Sequence, residues 1–225
     1  MSLPPESTEP RDLRVPGAPV VDGQLILVSN RGPVEYTAGP SGTLEMTRGS
    51  GGVVTALSAA SGALPVIWIA CPMTDGDRMV ARRAAADPTP PSPQENLRFA
   101  DVPEEAYDRY YRVFSNSVLW SLQHYLWDIS SEPNINSGIY DAWHNGYVTV
   151  NRLVADAVVD AIGQPAASPM VFFQDYHLYL AAGQVRERVP DALLQHFIHI
   201  PWPAARYWAL LPGEFRTPIL KSLCQ

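Results

Sequence analysis

Short apolar runs alternate with longer helical patterns along most of this chain, and that alternation limits the folds it can adopt. Runs typical of buried strands lie at 25–28, 66–70, 97–100, 170–173 and 193–198. Amphipathic helical patterns lie at 75–86, 103–126, 140–162 and 178–188. Strands that alternate with helices in this way predict an α/β fold with a doubly wound, Rossmann-like parallel sheet.

Three segments stand apart from the alternation. Residues 35–48 are polar and rich in Gly and Thr, which is typical of a hairpin or of a loop. The helical pattern at 103–126 is interrupted near Ser115-Asn116, so we expect a break there. Residues 1–22 are rich in Pro and charge and have no apolar signal sequence, which predicts a disordered leader.

Composition excludes several classes of protein. The 225 residues are 46% hydrophobic and 17% charged, enough for a substantial core, and the formal net charge is −7. No Lys/Arg cluster predicts nucleic-acid binding, and no apolar run approaches the roughly 20 residues that span a membrane. Cys71 and Cys224 have neither metal nor redox spacing. We therefore expect a reduced, cytoplasmic protein.

Polar residues follow two of the predicted strands at the point where each strand ends. Gln174-Asp175-Tyr176-His177 follows the strand at 170–173, and His199-Ile200-Pro201-Trp202-Pro203 follows the strand at 193–198. A charge at the end of a buried strand is costly unless something uses it, and ligands bind at the carboxyl ends of parallel strands. Asp175 and His199 therefore predict a sugar or phosphate pocket, without naming a reaction.

A metal centre is the alternative use of these residues, with Asp175, His177, His196 and His199 as ligands. His196 and His199 are three apart on a predicted strand, where side chains alternate between faces, so they cannot both reach one metal. The helix motif of zinc enzymes, HExxH, is missing as well. The sequence therefore predicts no metal site, and His196 is interpreted as a core histidine.

Phosphate-binding chemistry is suggested by two further features. Gly49-Ser50-Gly51-Gly52 precedes a helical pattern and could bring backbone N–H groups to an anion, although a plain glycine turn explains it equally well. Arg31 follows the first strand and could hold a phosphate with its planar fork, although a surface arginine is the simpler interpretation.

A set of aromatic residues admits two interpretations, a sugar-stacking wall or ordinary core. Its members are Tyr110, Tyr111, Trp120, Tyr125 and Trp127. Composition does not decide between the two interpretations.

Six blocks of sequence, taken in order, carry a resemblance to a known family. They are Val28-Ser29-Asn30-Arg31, Ser50-Gly51-Gly52, Tyr110-Tyr111 with Phe114-Ser115-Asn116 and Leu119-Trp120, Trp143 with Tyr147 and Val150-Asn151, Asp175-Tyr176-His177-Leu178, and His199-Ile200-Pro201-Trp202-Pro203 with Leu211-Pro212. Together they resemble the trehalose-6-phosphate synthases, retaining glycosyltransferases of the two-domain GT-B fold. The resemblance spans nearly the whole chain.

The resemblance implies a reaction and an acceptor site. Family members transfer glucose from UDP-glucose, or from GDP-glucose in some members, to glucose 6-phosphate, and they need no cofactor. By matching position, Arg31 and Tyr111 would contact the acceptor phosphate, and Trp120 and Asp175 would shape the acceptor pocket. Asp175 would position the acceptor and would not act as a covalent nucleophile.

The donor side is implied in the same way. Gly51 and Gly52 would offer backbone donors to the nucleotide-sugar diphosphate, and His199 would lie against the transferred glucose, so that Asp175 and His199 form the catalytic pair. The family pattern continues for about as many residues again. We therefore expect residues 23–225 to be an incomplete N-terminal, acceptor-side GT-B domain without its donor domain, inactive alone. Whether copies form a homo-oligomer stays open.

Three alternatives remain. Pro201-Trp202-Pro203, Tyr207-Trp208 and Arg216-Thr217 resemble the validoxylamine phosphate synthases, which couple a cyclitol to a sugar-like phosphate. Glucosylglycerol-phosphate synthases share many of the same motifs. A non-catalytic sugar-phosphate-binding half is the third alternative, motivated by the abrupt end of the chain.

Overall fold

The computed structural model describes residues 25–39, 42–49, 66–86, 96–127, 133–163 and 169–225, and the statements below concern these residues. The expected leader at 1–22 lies outside them. The glycine turn from Ser50 onward, with the predicted donor-binding residues Gly51 and Gly52, also lies outside them.

Five parallel strands form the main sheet, in the order β5-β4-β1-β6-β7. Their bounds are Leu25–Ser29 for β1, Val66–Ala70 for β4, Leu97–Phe99 for β5, Met170–Gln174 for β6 and Leu193–Phe197 for β7. The predicted parallel sheet is confirmed. Since β1 pairs with β4 on one side and with β6 on the other, the strand order reverses between β1 and β6. In open α/β sheets a ligand binds outside the carboxyl ends at such a reversal.

A separate antiparallel hairpin lies between β1 and β4 in the sequence. It pairs β2, Val34–Ala38, with β3, Leu44–Arg48. Of the two interpretations of residues 35–48, the hairpin is therefore the one that the structure adopts.

Six helices surround the sheet among the described residues. They are α1 (Asp75–Ala86), α2 (104–123), α3 (137–162), α4 (Ala181–Arg188), α5 (Ala205–Trp208) and α6 (Gly213–Leu223), and a 3₁₀ turn, Tyr176–Leu178, precedes α4. None of these helices has the length and apolar character that a membrane span requires within the described residues.

The predicted break in α2 is wrong. The helix continues through Ser115-Asn116, and the stretch Arg109–Leu119 that contains them is a π-helix. Asn116 uses its polar side chain outside the helix, since its Oδ1 accepts a hydrogen bond of 2.7 Å from Tyr176 Oη. The polar pair that looked like an interruption therefore lies at a tertiary contact.

The main core lies between the sheet and helices α2, α3, α4 and α6. Its largest fully buried side chains include Tyr110, Phe114, Tyr147, Phe173 and Phe215. A smaller cluster that includes Leu27 and Trp68 covers the other side of the sheet. The prediction that the strand at 193–198 is buried is wrong: Leu193 is 50% exposed and Phe197 is 47% exposed. Within the described sheet β7 is an edge strand that pairs only with β6, so its side chains alternate between exposed and partly buried.

Asp77 attaches the hairpin to the start of α1. Its side chain, 2% exposed, accepts backbone N–H bonds from Tyr36 at 2.8 Å, Met73 at 2.9 Å and Thr74 at 3.1 Å. The hairpin and the start of α1 are closely packed: a Cβ on Gly76 would lie 2.1 Å from the carbonyl oxygen of Tyr36. The hairpin and the helix therefore form one unit.

We expect Asp77→Asn to lower the free energy of unfolding by about 2 kcal/mol. Both carboxylate oxygens of Asp77 accept backbone N–H bonds, whereas the amide of asparagine would place an NH₂ donor against one of these N–H groups. Urea unfolding measures the change. Asp75→Asn is the matched control, since the Asp75 side chain, in the same helical turn, is 84% exposed. Equal losses in the two variants would contradict the role of Asp77.

Candidate functional site

The carboxyl ends of β1 and β6 lie side by side at the strand-order reversal, and an asparagine ties the first of them to α2. Asn30 follows β1 directly. Its Oδ1 accepts a 3.0 Å hydrogen bond from Tyr110 Oη, and its Nδ2 donates a 3.2 Å bond to Tyr107 Oη. Because Asn30 is buried, these bonds fix one face of α2 against the strand end.

That face of α2 holds Tyr111 between two other rings. Tyr107 and Tyr111 stack with centroids 5.4 Å apart, and Tyr111 and His177 stack at 5.5 Å, both at an interplanar angle of 17°. Arg31 lies near the Tyr107 ring. Burial raises the pKa of the Tyr107 hydroxyl, and the charge of the nearby Arg31 guanidinium acts in the opposite direction. The predicted phosphate residues Arg31 and Tyr111 are therefore brought to the same corner of the sheet.

His177 supports this stack as an uncharged ring. Burial lowers its pKa to about 3, so the imidazole is neutral at physiological pH. The His177 ring also stacks on Tyr176, with centroids 4.0 Å apart. His177 thus connects α2 to the segment that follows β6.

Asp175 has an unusual backbone conformation at the end of β6. Its φ is 66° and its ψ is 175°, a region that glycine tolerates and other residues adopt at a cost of about 1–3 kcal/mol. Two bonds with residues of β7 hold it there. Its N–H donates to the Phe197 carbonyl at 2.7 Å, and its own carbonyl accepts from His196 Nε2 at 2.8 Å. Residues held in strained conformations cluster at functional sites.

The carboxylate of Asp175 is partly buried as well as strained. Burial raises its pKa, and the backbone N–H of Tyr176 and the neighbouring His199 act in the opposite direction. The Tyr176 N–H donates to Asp175 Oδ1 at 3.1 Å. A partly desolvated carboxylate with unused acceptor positions can bind the hydroxyl groups of a sugar.

His196 and His199 have separate roles. His196 packs on Phe173 and Tyr179, and burial lowers its pKa to about 4, so it is a neutral ring bonded to the Asp175 carbonyl. His199 lies two residues beyond the end of β7, with Nε2 2.9 Å from Gln174 Oε1. Within the described residues no group of three or more His, Cys, Asp or Glu could hold a metal ion.

The aromatic set divides between the two interpretations. Tyr110 is fully buried and belongs to the core. Trp120 is 39% exposed, stacks on His124 with centroids 3.7 Å apart, and lies 6.1 Å from the Tyr176 ring. Tyr125 is 51% exposed. Trp120 therefore offers a partly open aromatic face on the side of α2 that meets the segment after β6.

Most of the predicted site residues thus converge at one edge of the sheet. Tyr176 and His177 follow Asp175 directly, and their rings contact Trp120 and Tyr111, respectively. Gln174 precedes Asp175, and its side chain contacts His199. Sequence reasoning missed the supporting roles of Tyr107, His177 and Gln174. The four-residue spacing of Tyr107 and Tyr111 on one helix was the signal that could have found the first of these.

The fold matches solved glycosyltransferases. A solved trehalose-6-phosphate structure from E. coli, bound with UDP-2-fluoro glucose, aligns with a TM-score of 0.60 and 25% identity, covering 90% of this chain and 38% of that chain. The architecture is accordingly that of the N-terminal half of a GT-B glycosyltransferase.

The sequence places the chain within one family of that class. The family profile of glycosyltransferase family 20 matches residues 23–225, and the chain belongs to this family. A trehalose-6-phosphate synthase of Mycobacterium ulcerans is 33% identical over 221 residues, 97% of this chain and 40% of that protein. A validamine 7-phosphate valienyltransferase of Streptomyces hygroscopicus subsp. jinggangensis is 28% identical over 207 residues, 89% of this chain and 41% of that protein. The chain thus spans about 40% of the length of these relatives.

Proposed function

We propose that this chain forms the acceptor side of a retaining glycosyltransferase that transfers glucose from a nucleotide-glucose to glucose 6-phosphate, giving α,α-trehalose 6-phosphate. The observation that carries the proposal is the convergence of a cation, a held tyrosine and a partly desolvated carboxylate at the strand-order reversal. Arg31 and Tyr111 suit a phosphate group, and Asp175 suits sugar hydroxyls. Family membership supports the transfer of a sugar.

The chemistry assigned to these residues is orientation and charge stabilisation. Asp175 holds the acceptor so that its attacking hydroxyl faces the anomeric carbon, and the departing phosphate takes up the hydroxyl proton on the same face, which retains the configuration. Such catalysis depends on positioning and on stabilising charge at the leaving group, without a covalent enzyme intermediate. His199 lies on the donor side of Asp175 and contacts the transferred glucose.

The donor is a nucleotide-glucose, and two observations support this. The E. coli structure with the same fold is bound with UDP-2-fluoro glucose. The sequence motif Ser50-Gly51-Gly52 is typical of glycine-rich turns that bring backbone N–H groups to a diphosphate. The proposal involves no metal or cofactor: backbone N–H groups stabilise the charge on the departing diphosphate.

Binding of glucose 6-phosphate to the purified chain tests the acceptor assignment directly. Isothermal titration calorimetry with glucose 6-phosphate, glucose and inorganic phosphate separates the contributions of the sugar and the phosphate. We expect glucose 6-phosphate to bind more tightly than either component. No binding of glucose 6-phosphate, together with binding of glycerol 3-phosphate, would favour the glucosylglycerol-phosphate synthases.

Arg31→Ala should weaken the binding of glucose 6-phosphate by about tenfold or more, because a charge-assisted phosphate contact contributes about 1.5–3 kcal/mol. The affinity for glucose alone should not change. Arg98→Ala is the control, since Arg98 is an exposed arginine on β5, two strands away from β1. An unchanged affinity of Arg31→Ala for glucose 6-phosphate would remove Arg31 from the phosphate site.

A valienyl transfer is the second candidate function, favoured by the valienyltransferase relative that aligns over 89% of this chain. The segment that resembles this branch packs against the rest of the protein: Trp202 and Trp208 pack with centroids 4.8 Å apart, and Tyr207 Oη accepts a bond from the Trp127 N–H at 3.1 Å. Competition between glucose 6-phosphate and validamine 7-phosphate for the purified chain separates the two candidates. Tighter binding of validamine 7-phosphate would replace the leading proposal.

A further inference from the structure

A buried glutamine lies directly behind His199. Gln174 is the last residue of β6, and its side chain is only 1% exposed. Its Oε1 lies 2.9 Å from His199 Nε2, and its Nε2 lies 3.4 Å from the Phe172 carbonyl oxygen. The amide therefore connects the backbone of its own strand to an imidazole that is itself exposed.

The two contacts determine which way the amide faces. A backbone carbonyl only accepts hydrogen bonds, so the amide NH₂ group must face Phe172, and the amide oxygen must then face His199. The reverse orientation would direct the Gln174 oxygen at the Phe172 carbonyl oxygen, so two acceptors would face each other without a proton between them. The hydrogen bonds thus assign an orientation that the shape of the side chain alone would leave open.

The orientation of the amide fixes the proton on the histidine. An amide oxygen can only accept, so His199 Nε2 must carry the hydrogen atom in this contact. In a neutral imidazole the other nitrogen, Nδ1, is then an acceptor. A T-shaped contact with Phe197, with ring centroids 4.7 Å apart, also restrains the ring.

We propose that Gln174 is a positioning residue that holds His199 as the Nε2–H tautomer and leaves Nδ1 as a hydrogen-bond acceptor for a sugar hydroxyl. An exposed imidazole would otherwise exchange between its two tautomers through water. Gln174 is suited to prevent this, because its buried amide is bonded to its own strand and cannot follow the solvent. The contact between Nδ1 and a sugar hydroxyl rests on the proposed function, whereas the assignment of the tautomer does not.

Nitrogen-15 NMR of the histidine side chains tests the tautomer in the ligand-free protein. The chain contains five histidines, and the cross-peaks that disappear in His199→Asn identify His199. At about pH 8.5, two units above the ordinary pKa of histidine, the parent protein should show a protonated Nε2 and an unprotonated Nδ1 at His199. A protonated Nδ1 at this residue would overturn the proposal.

Substitutions at Gln174 test the cause. Gln174→Glu keeps an acceptor oxygen in place and should keep the Nε2–H tautomer. Gln174→Leu and the shorter Gln174→Asn withdraw that oxygen and should give the averaged signals of exchanging tautomers. Gln195→Leu, an exposed glutamine on β7, is the matched control and should leave His199 unchanged. If both Gln174→Leu and Gln174→Asn fold and keep the parent spectrum, Gln174 does not set the tautomer.

Ligand binding tests the contact between His199 Nδ1 and the sugar separately. Gln174→Leu should weaken the binding of UDP-glucose, whose glucose is the sugar that His199 contacts, by about threefold to tenfold relative to Gln195→Leu, as expected for the loss of one oriented hydrogen bond. Altered tautomers with unchanged affinity would overturn the sugar contact and leave the tautomer assignment intact. If the parent protein shows the Nε2–H tautomer but no affinity for glucose 6-phosphate, the proposed function fails and the positioning role of Gln174 stands.

Discussion

Asp175→Gly should abolish the binding of glucose 6-phosphate and yet leave the free energy of unfolding unchanged, or raise it by about 1 kcal/mol. Asp175 has a φ of 66° and a ψ of 175°, and a side chain in this region costs about 1–3 kcal/mol that glycine does not pay. The substitution removes the bond from the Tyr176 N–H to Asp175 Oδ1, which contributes about 1 kcal/mol. It also removes the cost of a partly buried charge.

A substitution to glycine usually lowers the free energy of unfolding by about 0.4–1 kcal/mol, because it gives the unfolded chain more freedom. We expect the opposite for Asp175→Gly. Asp101→Gly measures that usual effect, since Asp101 is exposed, lies in the loop before α2, and is not among the described residues with a positive φ. Urea unfolding compares the two variants, and calorimetry measures the affinity. If Asp175→Gly loses at least as much stability as Asp101→Gly, the conformation of Asp175 is not strained.

If Asp175→Gly is more stable than the parent and no longer binds glucose 6-phosphate, the strained conformation of Asp175 is maintained for binding. The bonds from Phe197 and His196 hold the backbone of Asp175 in place, and both partners belong to β7. The neighbouring strand therefore compensates for a conformation that Asp175 would not adopt on its own. The result of this arrangement is a carboxylate held at the carboxyl end of β6, where the strand order reverses between β1 and β6.

Local patterns were sufficient to predict much of this fold. The predicted strand at 66–70 and the predicted helix at 75–86 coincide with β4 and α1, because a continuous apolar run and a 3.6-residue period each reflect the burial of the element itself. The motif after β6 was placed at the end of its strand for the same reason. The position of Asp175 at the strand end therefore followed from its immediate neighbours.

Non-local contacts account for what the sequence did not reveal. Nothing in the apolar run at 193–198 shows that its strand has one partner only in the part of the sheet that the structure describes, so Phe197 was expected to be buried. Ser115-Asn116 looked like a helix break because the partner of Asn116, Tyr176, lies 60 residues away. In the same way, the ring stack around Tyr111 joins two segments that only the folded sheet brings together. The roles assigned to Arg31, Trp120 and His199 stay predictions.

The strongest expected effect on stability lies at the crossing of α2 and α3. A Cβ on Gly146 would lie 2.6 Å from both the Arg109 Cβ and the Tyr110 backbone nitrogen, closer than such atoms approach. The two helices are also joined there by an ion pair of 2.7 Å between Arg109 Nε and Asp141 Oδ2. Neither helix can move aside cheaply, because Tyr110 is fully buried and its hydroxyl donates to Asn30.

Gly146→Ala should therefore lower the free energy of unfolding by about 3 kcal/mol, since the overpacking cost exceeds the gain of about 1 kcal/mol that alanine normally brings to a helix interior. It should also weaken the binding of glucose 6-phosphate, because α2 carries Tyr111 next to the displaced Tyr110. Gly213→Ala is the control: a Cβ at this helix start meets nothing within 4 Å, so this variant should be as stable as the parent or slightly more stable. Urea unfolding and calorimetry of both variants give the comparison. Equal stability of Gly146→Ala and the parent would mean that α2 and α3 can separate without loss, and that their close contact does not position Tyr111.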